Sequence, residues 1–167
     1  MLHPNIIAVE NQVIHGRGLT ATALIREGEV VSRLDPGLPT IAIAEILTWS
    51  QEKQADLLRY GYQCDDQTIV IEKEPERYMN HSCDPNTWWL DNDTMIARRD
   101  ILPNEEITYD YASTEITIPY VMICGCGSVL CRHRITNLDY LNLDWQKRFG
   151  NYLPEHVRNA ILASKQR

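Results

Sequence analysis

Cys124, Cys126 and Cys131 fall within eight residues and form the densest reactive group in the chain. Zn²⁺ prefers four ligands in a tetrahedron and takes thiolates readily, and a Cys-Gly-Cys pair lets two sulfurs turn toward one ion. Three sulfurs leave one position open. On spacing alone Cys83, Cys64 or His133 could fill it. The five cysteines are an odd number, and the N-terminus MLHPNIIAVENQ lacks the apolar run of a secretory signal, so a disulfide framework is not expected. No Cys-x-x-Cys couple supports a thiol redox protein.

Three other strings carry chemistry. Arg77-Tyr78-Met79-Asn80-His81-Ser82-Cys83-Asp84-Pro85-Asn86 is crowded with polar groups, and Pro85 restricts its exit. In Glu105-Glu106-Ile107-Thr108-Tyr109-Asp110-Tyr111 a strand would place Tyr109 and Tyr111 on one face, with phenols side by side. Gly16, Gly18 and Ala21 satisfy a loose dinucleotide-binding pattern, but that pattern needs a long helix straight after the turn. Only nine residues separate Gly18 from Gly28, two of them Thr, so a Rossmann unit is not expected. What remains is a backbone that two missing Cβ atoms leave open to a ligand.

The elements that must hold these strings are short. Apolar, β-branched runs at 6–9, 30–34, 69–71, 94–97 and 107–111 read as strands, with Asp65-Asp66 as a hairpin turn. Residues 41–58 change period and read as two short helices, with Ser50 as an N-cap. The apolar run at 115–123 reads as extended, and its Pro119 keeps it off the centre of a sheet. Residues 143–149 and 154–163 read as helices, punctuated by Gly150 and opened by Pro154. No repeat or linker divides the 167 residues, so one mainly β domain with short helices (α+β) is expected.

Composition narrows the partners. Apolar residues make up 44% and charged residues 23%, as in ordinary globular domains. No segment approaches the ~18 uninterrupted apolar residues of a membrane span, and an intracellular, cytoplasmic location is expected. Lys plus Arg number 16 against 23 Asp plus Glu, a net charge of −7. Nucleic-acid affinity comes largely from phosphate contacts, so direct binding to nucleic acid is not expected. An acidic body suits a basic protein or Lys-rich peptide better.

In order and spacing, HGRGL at 15–19, RYMNHSCDPN at 77–86, NEEITYDY at 104–111 and CGCGSVLCR at 124–132 resemble the SET-domain protein lysine methyltransferases. The resemblance implies small curved sheets with a knot-like crossing, a SET domain over 1–115 with its insert at 41–58, a post-SET zinc segment at 116–134 and a C-terminal helical extension at 135–167. It implies Cys83 as the fourth Zn²⁺ ligand beside Cys124, Cys126 and Cys131, with Cys64 free. S-adenosylmethionine would lie against His15, Gly16, Arg17, Gly18, Tyr60, Arg77, Asn80 and His81, with Gly125 and Arg132 closing over it. Tyr111 would be the catalytic phenol, and Tyr109 and Tyr60 would line the lysine channel. The implied activity is S-adenosylmethionine-dependent N-methylation of lysine in a histone or other basic protein, adding one or two methyl groups. The competing reading is an inactive, zinc-stabilised module that only binds a Lys-rich peptide. His133 and Arg134 stand where the family often has an aromatic residue.

Overall fold

The computed structural model describes residues 1–10 and 16–166. Strands β1 (Ile6–Val9), β2 (Gly18–Ala21) and β3 (Val30–Arg33) open the chain, followed by β4 (Thr40–Ala42). Helices α1 (Ile43–Ile46) and α2 (Gln51–Leu57) come next, then β5 (Gly61–Gln63) and β6 (Thr68–Ile71). The Ser50 side chain accepts from the Lys53 N–H and caps α2 as expected. The central region holds β7 (Asn80–His81), β8 (Thr87–Trp89), β9 (Thr94–Ala97) and β10 (Glu106–Tyr109). A hairpin of β11 (Val121–Ile123) and β12 (Arg134–Thr136) precedes α3 (Leu143–Phe149) and α4 (Glu155–Ser164). No helix among the described residues is long and apolar enough to cross a membrane.

The strands form four small sheets, ordered β1-β2-β10-β7, β3-β9-β8, β4-β6-β5 and β11-β12. The first positions the site. β10 pairs antiparallel with β2, setting Ile107 opposite Leu19, and parallel with β7, setting Thr108 by Asn80 and Tyr109 by His81. Three segments far apart in sequence thus meet on adjacent strands. All four residues of β2 are buried, because the strand lies between two neighbours with both faces covered. Leu19, Ile25, Val31, Ile101 and Ile107, all fully buried, anchor the main core. Each contributes about 1.5–3 kcal/mol in removing its side chain from water.

The expected strand at 107–111 ends early. The chain leaves β10 at Asp110, whose carboxylate accepts from the Ala112 N–H at 3.1 Å and caps a single 3₁₀ turn over Tyr111–Ser113. Tyr109 and Tyr111 are neighbours across that turn, with ring centroids 4.8 Å apart, and not by strand alternation. Of the extended run at 115–123, only Val121–Ile123 pairs as a strand. Pro154 occupies the N-cap position ahead of α4 and does not enter its first turn.

The C-terminal helices pack onto the body through Trp145, Phe149, Leu153, Val157 and Ile161, which share a core cluster with Ala112. Within α3 and α4 the buried pairs Trp145/Phe149 and Val157/Ile161 are four residues apart, the spacing of one helical face. Gly150 turns the chain between the two helices at φ 56° and ψ −119°, a region closed to side chains. A Cβ there would meet nothing within 4 Å, so substitution is penalised through the backbone alone. Gly150→Ala is expected to destabilise the protein by about 1–3 kcal/mol in urea unfolding. An unchanged midpoint would show that the inter-helix turn relaxes freely.

Candidate active site

The residues singled out in the sequence gather at one end of the four-stranded sheet. Tyr60, Tyr62, Arg77, Tyr109, Tyr111 and Glu115 line a single cleft. The Tyr111 hydroxyl donates to the Met79 carbonyl at 3.2 Å, which fixes the phenol against the strand that carries Asn80. Burial pushes the Tyr109 and Tyr111 phenols above their ordinary range, so both keep their protons. Tyr60 stands at the rim, 45% exposed, with the Arg77 guanidinium 4.5 Å from its ring centroid.

Gly18 opens β2, and the neighbouring Arg17 reaches back over the Tyr78 ring at 4.3 Å. The Asn80 amide donates to the Arg17 carbonyl at 3.1 Å and to Glu106 at 2.7 Å, tying the Gly-rich segment to β7 and β10. A Cβ built at Gly16 or Gly125 would meet nothing within 4 Å, so the space beside both is open. His15 lies outside the described residues.

His81 is 4% exposed, and desolvation pushes its pKa down to about 4. The ring is therefore neutral at pH 7. Its Nδ1 accepts from the Tyr111 N–H at 3.1 Å, which assigns the proton to Nε2, and Nε2 faces the Cys83 sulfur at 3.4 Å. Both ring nitrogens are thus engaged inside the protein.

Asp110 lies between the two tyrosines and is fully buried. Its oxygens receive Arg132 Nη1 at 2.6 Å, Arg132 Nη2 at 2.7 Å and the Trp145 indole N–H at 2.9 Å. These donors outweigh desolvation and hold the carboxyl below its usual range. Arg132 also bonds Asp139 through Nε at 2.7 Å, and its backbone N–H donates to the Cys83 sulfur at 3.3 Å.

That last contact leads to the cysteines. The sulfurs of Cys83, Cys124, Cys126 and Cys131 all lie within 4.8 Å of one another, and Cys83 and Cys124 are 3.8 Å apart. Four sulfurs around one Zn²⁺ at ~2.3 Å would be spaced by about 3.8 Å, so the set fits a tetrahedral ion. Cys64 stands elsewhere, with its thiol against Thr68. His133, at φ 60°, is not part of the cluster.

The SET-domain family model matches residues 16–112, more than half of the chain. This chain belongs to the SET-domain family. It is 32% identical over 139 residues to histone-lysine N-methyltransferase 2B of Homo sapiens, covering 75% of this chain and 5% of that protein. Trithorax of Drosophila melanogaster, also named a histone-lysine N-methyltransferase, is 32% identical over 145 residues, with coverages of 78% and 4%. The histone-lysine N-methyltransferase ASHH3 of Arabidopsis thaliana is 30% identical over 132 residues, with coverages of 72% and 35%. The chain thus spans a small part of each relative's length.

Four residues that hold or line the cleft escaped sequence reasoning as functional positions. Asp110 and Trp145 have their partners 22 and 35 residues away, and no local spacing announces them. Asn86, quoted only as part of its string, accepts from the Thr108 N–H at 2.9 Å and donates to the Glu106 carbonyl at 2.8 Å, so it locks the loop onto β10. Glu115 opens an apolar run, and an acid in such a run was the one available signal. Replacing Arg132 by Met is expected to cost roughly 3–5 kcal/mol in chemical denaturation, because it leaves a buried carboxylate without its charge partner. Asp110→Asn in the same chain should recover part of that loss. A single-variant loss below about 1 kcal/mol would show that Asp110 is held by other groups.

Proposed function

We propose that this SET domain is a protein-lysine N-methyltransferase that uses S-adenosylmethionine on histone or other basic protein substrates. The observation that carries the reading is the convergence of Tyr60 with Tyr109 and Tyr111, which come from a distant segment, on one cleft beside the Asn80-His81 strand. The names of the relatives and the net charge of −7, which favours a cationic partner, add support.

When bound, S-adenosylmethionine supplies a methyl group on a cationic sulfur. The residues that would hold it are His15, Gly16, Arg17, Gly18, Tyr60, Arg77, Asn80, His81, Gly125 and Arg132. Open space at Gly16 and Gly125 fits a ligand pressed against the backbone. Arg77 Nε and Glu76 Oε2, both buried without a partner among the described residues, suit the carboxylate and ammonium of an amino-acid moiety. The His81 ring and the Arg132 guanidinium are tied inside the protein, so neither polar head would be free to bond the cofactor. Tyr111, anchored on the Met79 carbonyl, keeps its oxygen lone pairs for the substrate amine. An aromatic, low-dielectric wall disfavours the lysine ammonium and favours the neutral nucleophile. Holding that amine in line replaces a bimolecular search.

Within this reading residues 1–115 form the catalytic SET domain, 116–134 a zinc-bearing post-SET segment and 135–167 a helical extension. Zn²⁺ at Cys83, Cys124, Cys126 and Cys131 would lock the post-SET loop onto the His81 strand. One Zn²⁺ per chain is expected by elemental analysis, and chelation should loosen the 116–134 segment and weaken cofactor binding together. Metal-free protein with full affinity for S-adenosylmethionine would refute the structural role.

Tyr109 stands where the family has Phe or Tyr. A Tyr hydroxyl can bond the amine or a neighbouring water, and removing it frees the space of roughly one water molecule. The parent should therefore add one or two methyl groups to a lysine peptide, and Tyr109→Phe should shift the product to higher states. Tyr111→Phe should abolish transfer almost completely. Mass spectra of the peptide decide, and a parent that runs readily to trimethyl-lysine would overturn the assignment of Tyr109.

A further inference from the structure

One acidic side chain in the cleft is used by nothing described so far. Glu115 is 6% exposed and follows the 3₁₀ turn that carries Tyr111. Its Oε1 accepts the Gln63 N–H at 2.9 Å and the Thr114 hydroxyl at 3.4 Å. The Gln63 side-chain oxygen answers by accepting from Ile116 N at 3.2 Å and Thr117 N at 3.1 Å, so residues 63 and 115–117 clasp each other. This clasp satisfies Oε1 and holds the carboxyl in place. Oε2 is buried with no partner among the described residues.

An orphan carboxylate oxygen in such surroundings is costly unless a cation meets it or it takes up a proton. The groups facing Glu115 supply no cation. They are the phenols of Tyr62, Tyr109, Tyr111 and Tyr120, from β5, β10, the 3₁₀ turn and the segment before β11, and burial keeps each one neutral. Farther along the cleft wall stand Glu72, Glu76 and Asp93 on the acidic side and Arg59 and Arg77 on the basic side, none of them ion-paired to Glu115. A cleft lined by phenols, with one orphan carboxyl oxygen among them, is shaped for an alkylammonium.

We propose that Glu115 receives the ammonium of the substrate lysine in this cleft and takes its proton before transfer. The inference deepens the lysine-methyltransferase reading and rests on it. One N–H bond of the ammonium breaks and an O–H bond forms on Glu115 Oε2. The nitrogen keeps the electron pair with which it attacks, and the carboxylic acid later returns its proton to water. The pKa is suited to the task, because burial pushes Glu115 up to about 8, near the working pH of a cell. An arriving ammonium lowers it again, since an opposite charge favours the carboxylate. Binding of an alkylammonium at pH 7 should therefore expel a proton from the protein.

The test compares the parent with Glu115→Gln, which retains an oxygen for the Gln63 N–H and so preserves the clasp. The probe is n-butylamine hydrochloride, the lysine side chain without its peptide, and no cofactor is needed. In difference infrared spectra at pH 7 the parent should show a protonated-carboxyl band that Glu115→Gln lacks, and butylamine should abolish that band. Methyl transfer to a lysine peptide should fall about 100-fold or more in the variant. The parent's rate should climb with pH up to about 8 and then level, and this rise should vanish in Glu115→Gln. A band that butylamine leaves unmoved, or equal butylamine affinity and equal pH profiles in the two proteins, overturns the proposal. If the parent transfers no methyl group yet butylamine still abolishes the band, the reaction assignment fails while the ammonium site at Glu115 stands.

Discussion

The pairing of Asp110 with Arg132 is the interaction on which the site depends. A carboxylate in the interior is tolerable only when its oxygens are filled, and here a guanidinium fork and an indole N–H fill them. Because Asp110 stands between Tyr109 and Tyr111, whatever fixes its carboxylate also fixes where both phenols point. Because Arg132 follows Cys131, the same pair ties the cysteine loop to the sheet. Trp145 brings in the C-terminal helices, whose apolar cluster includes Ala112 of the turn after β10. The helical extension is therefore part of the packing that holds the site.

His81 continues that connection by a second route. Its neutral ring spans from the Tyr111 backbone to the Cys83 sulfur, so the tyrosine turn and the sulfur cluster share one rigid bridge. A ring that donates to one of the four clustered sulfurs would also steady the charge of a metal held there. Order in the cysteine cluster and order in the cleft are in this way one property of the fold.

Two buried carboxyls only five residues apart are pushed in opposite directions. Arg132 and Trp145 hold Asp110 below the ordinary carboxylate range, whereas Glu115, with one oxygen orphaned among neutral phenols, is pushed up to about 8. Asp110 is thereby a permanent charge with a structural duty. Glu115 is poised to gain or lose a proton, and separated pKa values of this kind mark a division of roles.

The amino-acid sequence by itself determined a great deal here. The spacing of Cys124, Cys126 and Cys131 announced a sulfur cluster, and the strings around Asn80 and Tyr109 carried the family resemblance, because such signals are written in consecutive residues. The helix at Leu143–Phe149, with Gly150 after it, and the cap at Ser50 were equally legible, since capping and periodicity are local physics. Sequence could not choose Cys83 over Cys64 from spacing, as the choice depends on β7 lying parallel to β10. It could not show the chain leaving β10 at Asp110, because the carboxylate that caps the turn is held by an arginine 22 residues on. At Glu115 it offered only an acid at the head of an apolar run, and the shifted carboxyl exists only once Tyr62, Tyr109 and Tyr120 are folded around it. Such properties come from desolvation and long-range pairing, which exist only once distant segments share an interior, and there the tertiary structure alone decided.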